Sequence, residues 1–181
     1  TAGDQAALAE GGLDFTVGEA DHYDFDSQIA ITAEHGFAIF LMCKPESMVG
    51  HTCLLGLNST AHFLELMVGN DNLRVKLGTG GSATTTITPD ATDLWANGEK
   101  FLLTLVRDSG GTGNLIVYKN GVIQSQASAG QAANTGDGEF ISLGTRNADR
   151  YFDGIMHDVA MIDMGASTNV PSNTVDRINT Y

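Results

Sequence analysis

Basic residues are scarce in this chain. Nine Lys and Arg stand against 22 Asp and Glu over 181 residues, a net charge of −13, and all eight acids before Lys44 precede the first base. A chain this acidic, with its few bases scattered, repels phosphate backbones and anionic lipid surfaces, which excludes nucleic acid as the expected partner. Long apolar runs are missing too. The longest, Phe37 to Cys43, falls far short of the roughly 20 residues a membrane-spanning helix requires, so no membrane insertion is expected. Two cysteines exclude a disulfide scaffold, and three prolines leave the chain free to form regular elements. Cys43 and Cys53 flank a Gly-, Pro- and Ser-containing connection. If their strands pair as a hairpin the two could bond; otherwise they are buried thiols.

What is present is a period of two. Leu13-Asp14-Phe15 and Tyr23-Asp24-Phe25 are short alternating pieces, and Leu73-Arg74-Val75-Lys76-Leu77 alternates aliphatic residues inward with bases outward. Phe37 to Cys43 is apolar at every position, as a strand covered on both faces would be. Lys119-Asn120-Gly121-Val122 carries Asn-Gly between two alternating runs, the strongest short hairpin signal, because both turn residues accept positive φ. About eleven strands are expected with no helix between them, which predicts an all-β fold, an antiparallel β-sandwich or jelly roll. Only the end has helical signals, Pro171-Ser172-Asn173 followed by Val175 and Ile178, a short C-terminal helix. The organisation expected is a polar N-terminal lead or arm over 1–12 and a single sandwich domain over 13–181.

Four stretches in this order carry a resemblance. They are Leu13-Asp14-Phe15 with Asp21-His22-Tyr23-Asp24-Phe25, then Phe37 to Pro45, then Leu115-Ile116-Val117-Tyr118-Lys119-Asn120-Gly121-Val122. The fourth is Leu143-Gly144 followed by Phe152-Asp153-Gly154-Ile155-Met156-His157-Asp158-Val159. Together they resemble the laminin-G-like branch of the concanavalin A-like lectin/glucanase jelly rolls, over most of the chain from about Leu13 to Tyr181. The chain departs from the pattern at Phe40 and Met42, where a tryptophan is common, and at Met156-His157.

Chemistry of the hydrolytic kind is not expected. Glucanases of this fold use Glu-x-Asp-x-Glu on one strand to set two carboxylates on one face, and neither Glu34 nor Glu65 begins such a triplet. The nucleophile-elbow, zinc-protease and phosphate-loop motifs are absent as well. Asp24 and Asp26 fall on the same side of an extended segment, roughly 7 Å apart. Such hard oxygen ligands suit a cation when a loop adds carbonyls. No EF-hand loop is present, because the sixth position from Asp21 is Asp26 and the twelfth is Thr32. The resemblance implies a calcium ion at the rim of the sandwich, with Asp21, Asp24, Asp26 and Asp153 as its expected ligands; the other reading is a solvated acidic edge. Trp95, Arg150 and Tyr151 are the expected ligand contacts, since aromatic rings stack on sugar faces and Arg grips carboxylates and hydroxyls. Trp95 equally suits packing at a sheet edge.

Two functions follow. One is a non-catalytic binding or adhesion module, extracellular or on a surface, that recognises a glycan or a protein surface with the loops of one end. The other is a structural protein of a bacterial virus particle, a capsid decoration or tail appendage bound to capsid or tail proteins and forming a homo-oligomer. That second reading needs an exposed apolar patch, which Phe40 and Met42 supply if their face of the sheet is uncovered.

Overall fold

The computed structural model describes residues 7–32, 35–47, 51–57, 59–67, 72–76, 85–87, 96–107, 115–127, 138–146 and 150–166. Trp95 and the C-terminal helix expected after Pro171 lie outside them. The described residues form thirteen strands and one short 3-10 turn, Val17–Glu19. In chain order the strands are β1 (Ala7–Ala9), β2 (Gly12–Phe15), β3 (Tyr23–Ile31), β4 (Gly36–Pro45), β5 (His51–Leu57), β6 (Ser59–Met67) and β7 (Asn72–Lys76). There follow β8 (Thr85–Ile87), β9 (Phe101–Arg107), β10 (Leu115–Lys119), β11 (Val122–Ala127), β12 (Gly138–Leu143) and β13 (Gly154–Gly165). A seven-stranded sheet runs β1-β2-β13-β4-β9-β10-β11 and a six-stranded sheet runs β3-β12-β5-β6-β7-β8. All pairings are antiparallel. This is the all-β sandwich expected from the period of two. Ala7–Ala9, placed by sequence in a lead or arm, pairs with β2 as the edge strand of the larger sheet.

The core lies between the sheets. Phe37, Ile39, Leu41 and Cys43 of β4 meet Leu54 and Leu55 of β5, Leu64 of β6 and Leu73 and Val75 of β7 there, with Phe15, Phe140 and Phe152 filling the volume. Leu73 and Val75 are buried on either side of the half-buried Arg74, the alternation expected for β7. The intervening side chains of β4, Ala38 and Phe40, are also buried, at 1% and 4% exposure, so this strand is covered on both faces as its unbroken apolarity implies.

Cys43 and Cys53 do not share a hairpin. Their strands belong to opposite sheets, and both are buried thiols outside any disulfide. Sequence proximity across the short connection mimicked a hairpin, but β4 pairs with β9 and β13 while β5 pairs with β6 and β12. Desolvation pushes the Cys43 thiol up to about 12, which makes it inert.

The Asn-Gly hairpin forms as expected. Asn120 and Gly121 have φ of +50° and +79° between β10 and β11. The Asn120 side-chain oxygen accepts from the N–H of Leu102 at 2.8 Å while the Asn120 N–H donates to the Leu102 carbonyl at 2.9 Å, fastening the turn to β9.

Candidate rim at one end of the sandwich

Antiparallel pairing fixes which loops share an end. Tyr23 pairs with Leu143, Phe15 with Gly154, and Pro45 with Gly154. The segment from Thr16 to His22, Glu46 and Ser47 after Pro45, and residues 144–146 and 150–153 therefore meet at one end. Backbone bonds tie them together. Glu46 N–H donates to the Asp153 carbonyl (2.9 Å), Gly98 N–H to Pro45 (2.6 Å), Phe152 N–H to Gly144 (2.7 Å) and Cys53 N–H to Arg150 (3.0 Å). Phe15 packs its ring edge-on to Phe152 at 5.9 Å and fills the space beside Gly144, whose φ of +78° admits no ordinary side chain. The loops are thus held by the core rather than hung from it.

Asp21 is built into this end. Its Oδ2 accepts from the Thr16 N–H at 3.1 Å, and its own N–H donates to the Thr16 carbonyl, closing the turn around Val17–Glu19. The residue is 4% exposed, and its Oδ1 has no hydrogen-bond partner among the described residues. Asp24 and Asp26 lie instead on β3, the edge strand of the six-stranded sheet, and both are exposed. Asp24 lies 3.6 Å from His22 Nε2, and His22 Nδ1–H donates to the Ala20 carbonyl at 3.1 Å. Asp153 is half-buried, with its carbonyl committed to Glu46. Among the described residues no three His, Cys, Asp or Glu side chains converge as cation ligands. Among these four, Asp21 turns inward while Asp24 and Asp26 are exposed on β3.

Arg150 and Tyr151 are both half-buried in the loop that follows Gly144. Arg150 is held at φ +60°, the left-handed region, which costs an ordinary residue about 1–2 kcal/mol. Outliers of this kind persist where the surroundings over-determine them and cluster at functional sites. Beneath this loop Ser142 Oγ–H donates to the Thr145 carbonyl at 3.1 Å. A methyl group on Gly56 would sit 2.2 Å from the same carbonyl oxygen. Glycine at 56 is what lets the loop lie on β5.

Sequence reasoning missed Tyr23. It is 47% exposed at the start of β3, with its ring edge-on to Phe25 at 6.1 Å. The sequence alone could not flag it: two aromatics at i and i+2 share one face of a strand, and it is the edge position of β3 that leaves Tyr23 open. The rim therefore offers an exposed tyrosine on one face of β3 and the His22–Asp24 pair on the other, next to the strand that feeds the Arg150-Tyr151 loop.

Comparison with known proteins agrees with this architecture. A sequence model of the concanavalin A-like lectin/glucanases superfamily matches residues 17–167. The chain belongs to that superfamily. A heptameric SAP-like pentraxin from Limulus polyphemus superposes with a TM-score of 0.60 at 15% identity, over 97% of this chain and 80% of that one. The CBM40 of the Ruminococcus gnavus IT-sialidase, solved bound to α2,3-sialyllactose, gives 0.60 at 14% identity, over 97% and 95%. Domain 4 of AbnA, a GH43 extracellular arabinanase from Geobacillus stearothermophilus, solved with arabinotriose, gives 0.58 at 21% identity, over 94% and 75%. At these identities the likeness is one of fold. No curated protein matches the sequence.

Proposed function

We propose that this superfamily member is a non-catalytic recognition module that binds a glycan at the rim, acting outside the cell or on a surface. The observation that carries the reading is the rim itself. An exposed Tyr23 and the His22–Asp24 pair stand at the end of the sandwich where Arg150 is held in a strained backbone conformation. A ring supplies the apolar face that a sugar stacks on, and charged side chains beside it fix the hydroxyls. Two proteins of similar fold were solved with oligosaccharides bound, which supports a glycan as the partner. The sequence lacks the paired carboxylates of a glucanase strand, so binding rather than hydrolysis is the role.

The virion reading looks for an exposed apolar patch at Phe40 and Met42; Phe40 is 4% exposed and Met42 half-buried, so these two residues lend it little support.

The test is a glycan array with the purified chain, followed by calorimetry on any hit with Tyr23→Ala and Arg150→Gly. Loss of at least tenfold in affinity for both variants, with thermal unfolding unchanged for Tyr23→Ala and raised for Arg150→Gly, is the expected result. Binding that survives both, or turnover of the bound sugar, would overturn the proposal.

A further inference from the structure

One flank of the sandwich is closed and the other is open. At the closed flank β8 approaches β11, so the two sheets meet there. At the other flank β3 is the last strand of the smaller sheet, and β13, β2 and β1 finish the larger one. β2 pairs with β13 only at Gly154, Ile155 and Met156, because the hairpin joining β1 to β2 turns at Glu10 and Gly11, both at positive φ. β13 runs on to Gly165 with β4 along its other side. Among the described residues nothing pairs with the β2-side edge of β13 from His157 to Gly165, roughly 30 Å of strand.

Side chains mark the same opening. Four hydrophobic residues packed against the main core stay only partly buried, and all four stand on these flanking strands: Leu13 of β2, Phe25 of β3, and Val159 and Met161 of β13. Val159 lies opposite Leu41 and Met161 opposite Ile39, both buried on β4, so the core layer that is complete at β4 is unfinished one strand further out. Ala160, facing the other way, is exposed. A row of unpaired N–H and C=O groups is a template for one more strand, and sandwiches ordinarily blunt such an edge with Lys, Pro or an inward charge. The run Val159-Ala160-Met161-Ile162 carries none of these.

Three features select the occupant. Periodic backbone donors and acceptors match an extended peptide chain, whose own backbone repeats at the same spacing. Val159 and Met161 require apolar side chains at alternate positions of that chain. Charge decides the rest: β3 and β13 carry Asp24, Asp26, Asp158 and Asp163, all exposed, and no Lys or Arg. A second copy would bring the same acids and a net charge of −13, so it is repelled where a basic segment is attracted.

We propose that the open edge of β13, residues 157–165, captures an extended basic segment of a partner protein by strand addition, its apolar side chains entering the seam between β13 and β3 beside Val159 and Met161. This surface lies along the flank beyond Met156, whereas the glycan rim gathers at the Gly154 end of the same strand. The module thus gains a protein-directed function separate from the rim.

Random nine-residue peptides displayed on phage are the probe. Selection on the purified chain should enrich sequences in which Lys or Arg flank alternating aliphatic residues, and replacing those bases with Glu should weaken binding by about tenfold or more. Met161→Lys, which sets a charge inside the seam, and Asp158→Lys, which reverses an exposed one, should each cost a selected peptide about tenfold in affinity. Should the first variant fail to fold, the second decides. Methylating every second peptide nitrogen should abolish binding in one phase and spare it in the other, because only alternate N–H groups face β13. No enrichment, selected peptides without the basic alternation, or binding indifferent to Asp158→Lys or to the phase of methylation overturns the proposal. So does slow hydrogen exchange at every amide of 157–165 in the free protein, which would mean that the edge is already paired, by a second copy if the protection disappears on dilution.

Discussion

Arg107 ends β9 with its side chain on the core side, and it is fully buried. Its Nε–H donates to the His35 carbonyl at 2.7 Å and its Nη2 donates to the Thr32 carbonyl at 2.8 Å, while the guanidinium lies 4.8 Å from the centre of the Phe37 ring. The same Thr32 carbonyl accepts the N–H of His35 at 3.2 Å, so one arginine fixes both ends of the turn that carries the chain from one sheet to the other. Methionine conserves the volume and the contact with Phe37 but removes both charged bonds, leaving the Thr32 carbonyl with the His35 N–H and the His35 carbonyl without the guanidinium. A buried group stripped of its partner costs about 1–3 kcal/mol, and bonds to a charged donor are worth about 1.5–3 kcal/mol each. Against this stands the desolvation of the cation, which the substitution relieves. The balance is a loss of about 3 kcal/mol for Arg107→Met, a fall in Tm of roughly 6–12 °C for a domain of this size. Arg107→Lys, which keeps the charge but cannot fork to both carbonyls, should lose about half as much. Calorimetry and urea unfolding at pH 7 measure both. A Met variant within about 1 kcal/mol of the parent would refute the view that Arg107 organises this turn.

Asp163 lies at the same end. Its partly covered position raises its affinity for a proton, but the Gly165 N–H, His35 Nδ1 at 3.0 Å and Arg107 outweigh that and hold the carboxyl below the ordinary range. A depressed carboxylate contributes stability that is present above its unfolded value of about 3.9 and is lost as pH falls through its folded value. Because its side chain is 41% exposed, Asp163→Asn should cost only about 0.2–1 kcal/mol at pH 7, with the deficit vanishing in acid; a deficit that grows toward low pH contradicts the assignment. Gly56→Ala forces a methyl group onto the Thr145 carbonyl and should cost about 1–3 kcal/mol while weakening any rim ligand. Native protein should show no thiol reactive to Ellman's reagent and two after denaturation; rapid native labelling would contradict the burial of Cys43 and Cys53. Calcium at 1 mM should leave Tm within about 1 °C, because the acidic side chains at the rim are not assembled. A shift equal to roughly 2.7 kcal/mol, the linkage expected at 100 times the Kd, would show a cation site built from other groups.

The fold was legible because sandwich strands announce themselves by alternation and by the turns between them. The run from Phe37 to Cys43 declared a strand covered on both sides, and the structure buries both Ile39 and Phe40. Asn120-Gly121 declared a hairpin and forms one. What sequence could not supply was pairing at long range. Cys43 and Cys53 are ten residues apart, yet the chain crosses from one sheet to the other between them, and nothing in the short connection distinguishes a crossover from a hairpin. The acidic run shows the same limit. Spacing along an extended segment predicts that Asp24 and Asp26 share a side, but not that Asp21 turns inward to hold Thr16. Tyr23 was passed over because an aromatic in an alternating run reads as core until its strand is known to be an edge.

The faces of the sandwich narrow where recognition can occur. The outer face of the larger sheet presents Ala38, Thr104 and Val106 at no more than 2% exposure, so a ligand would have to displace whatever lies there. On the smaller sheet, Leu55 and Leu143 point into the core, which turns their neighbours Gly56 and Ser142 outward, and Thr145 sits against both. The loop beyond it then returns to β5 through the bond from the Cys53 N–H to the Arg150 carbonyl. That part of the smaller sheet is covered as well. Tyr23 stays exposed where β3 begins, outside both covers, and Arg150 keeps a left-handed backbone. Such a backbone occurs at binding surfaces and in structural turns alike, as at Asn120 in its hairpin. Replacing Arg150 with glycine separates the two: a turn that merely needed φ above zero gains stability and keeps its ligand, whereas a recognition residue gains stability and loses it.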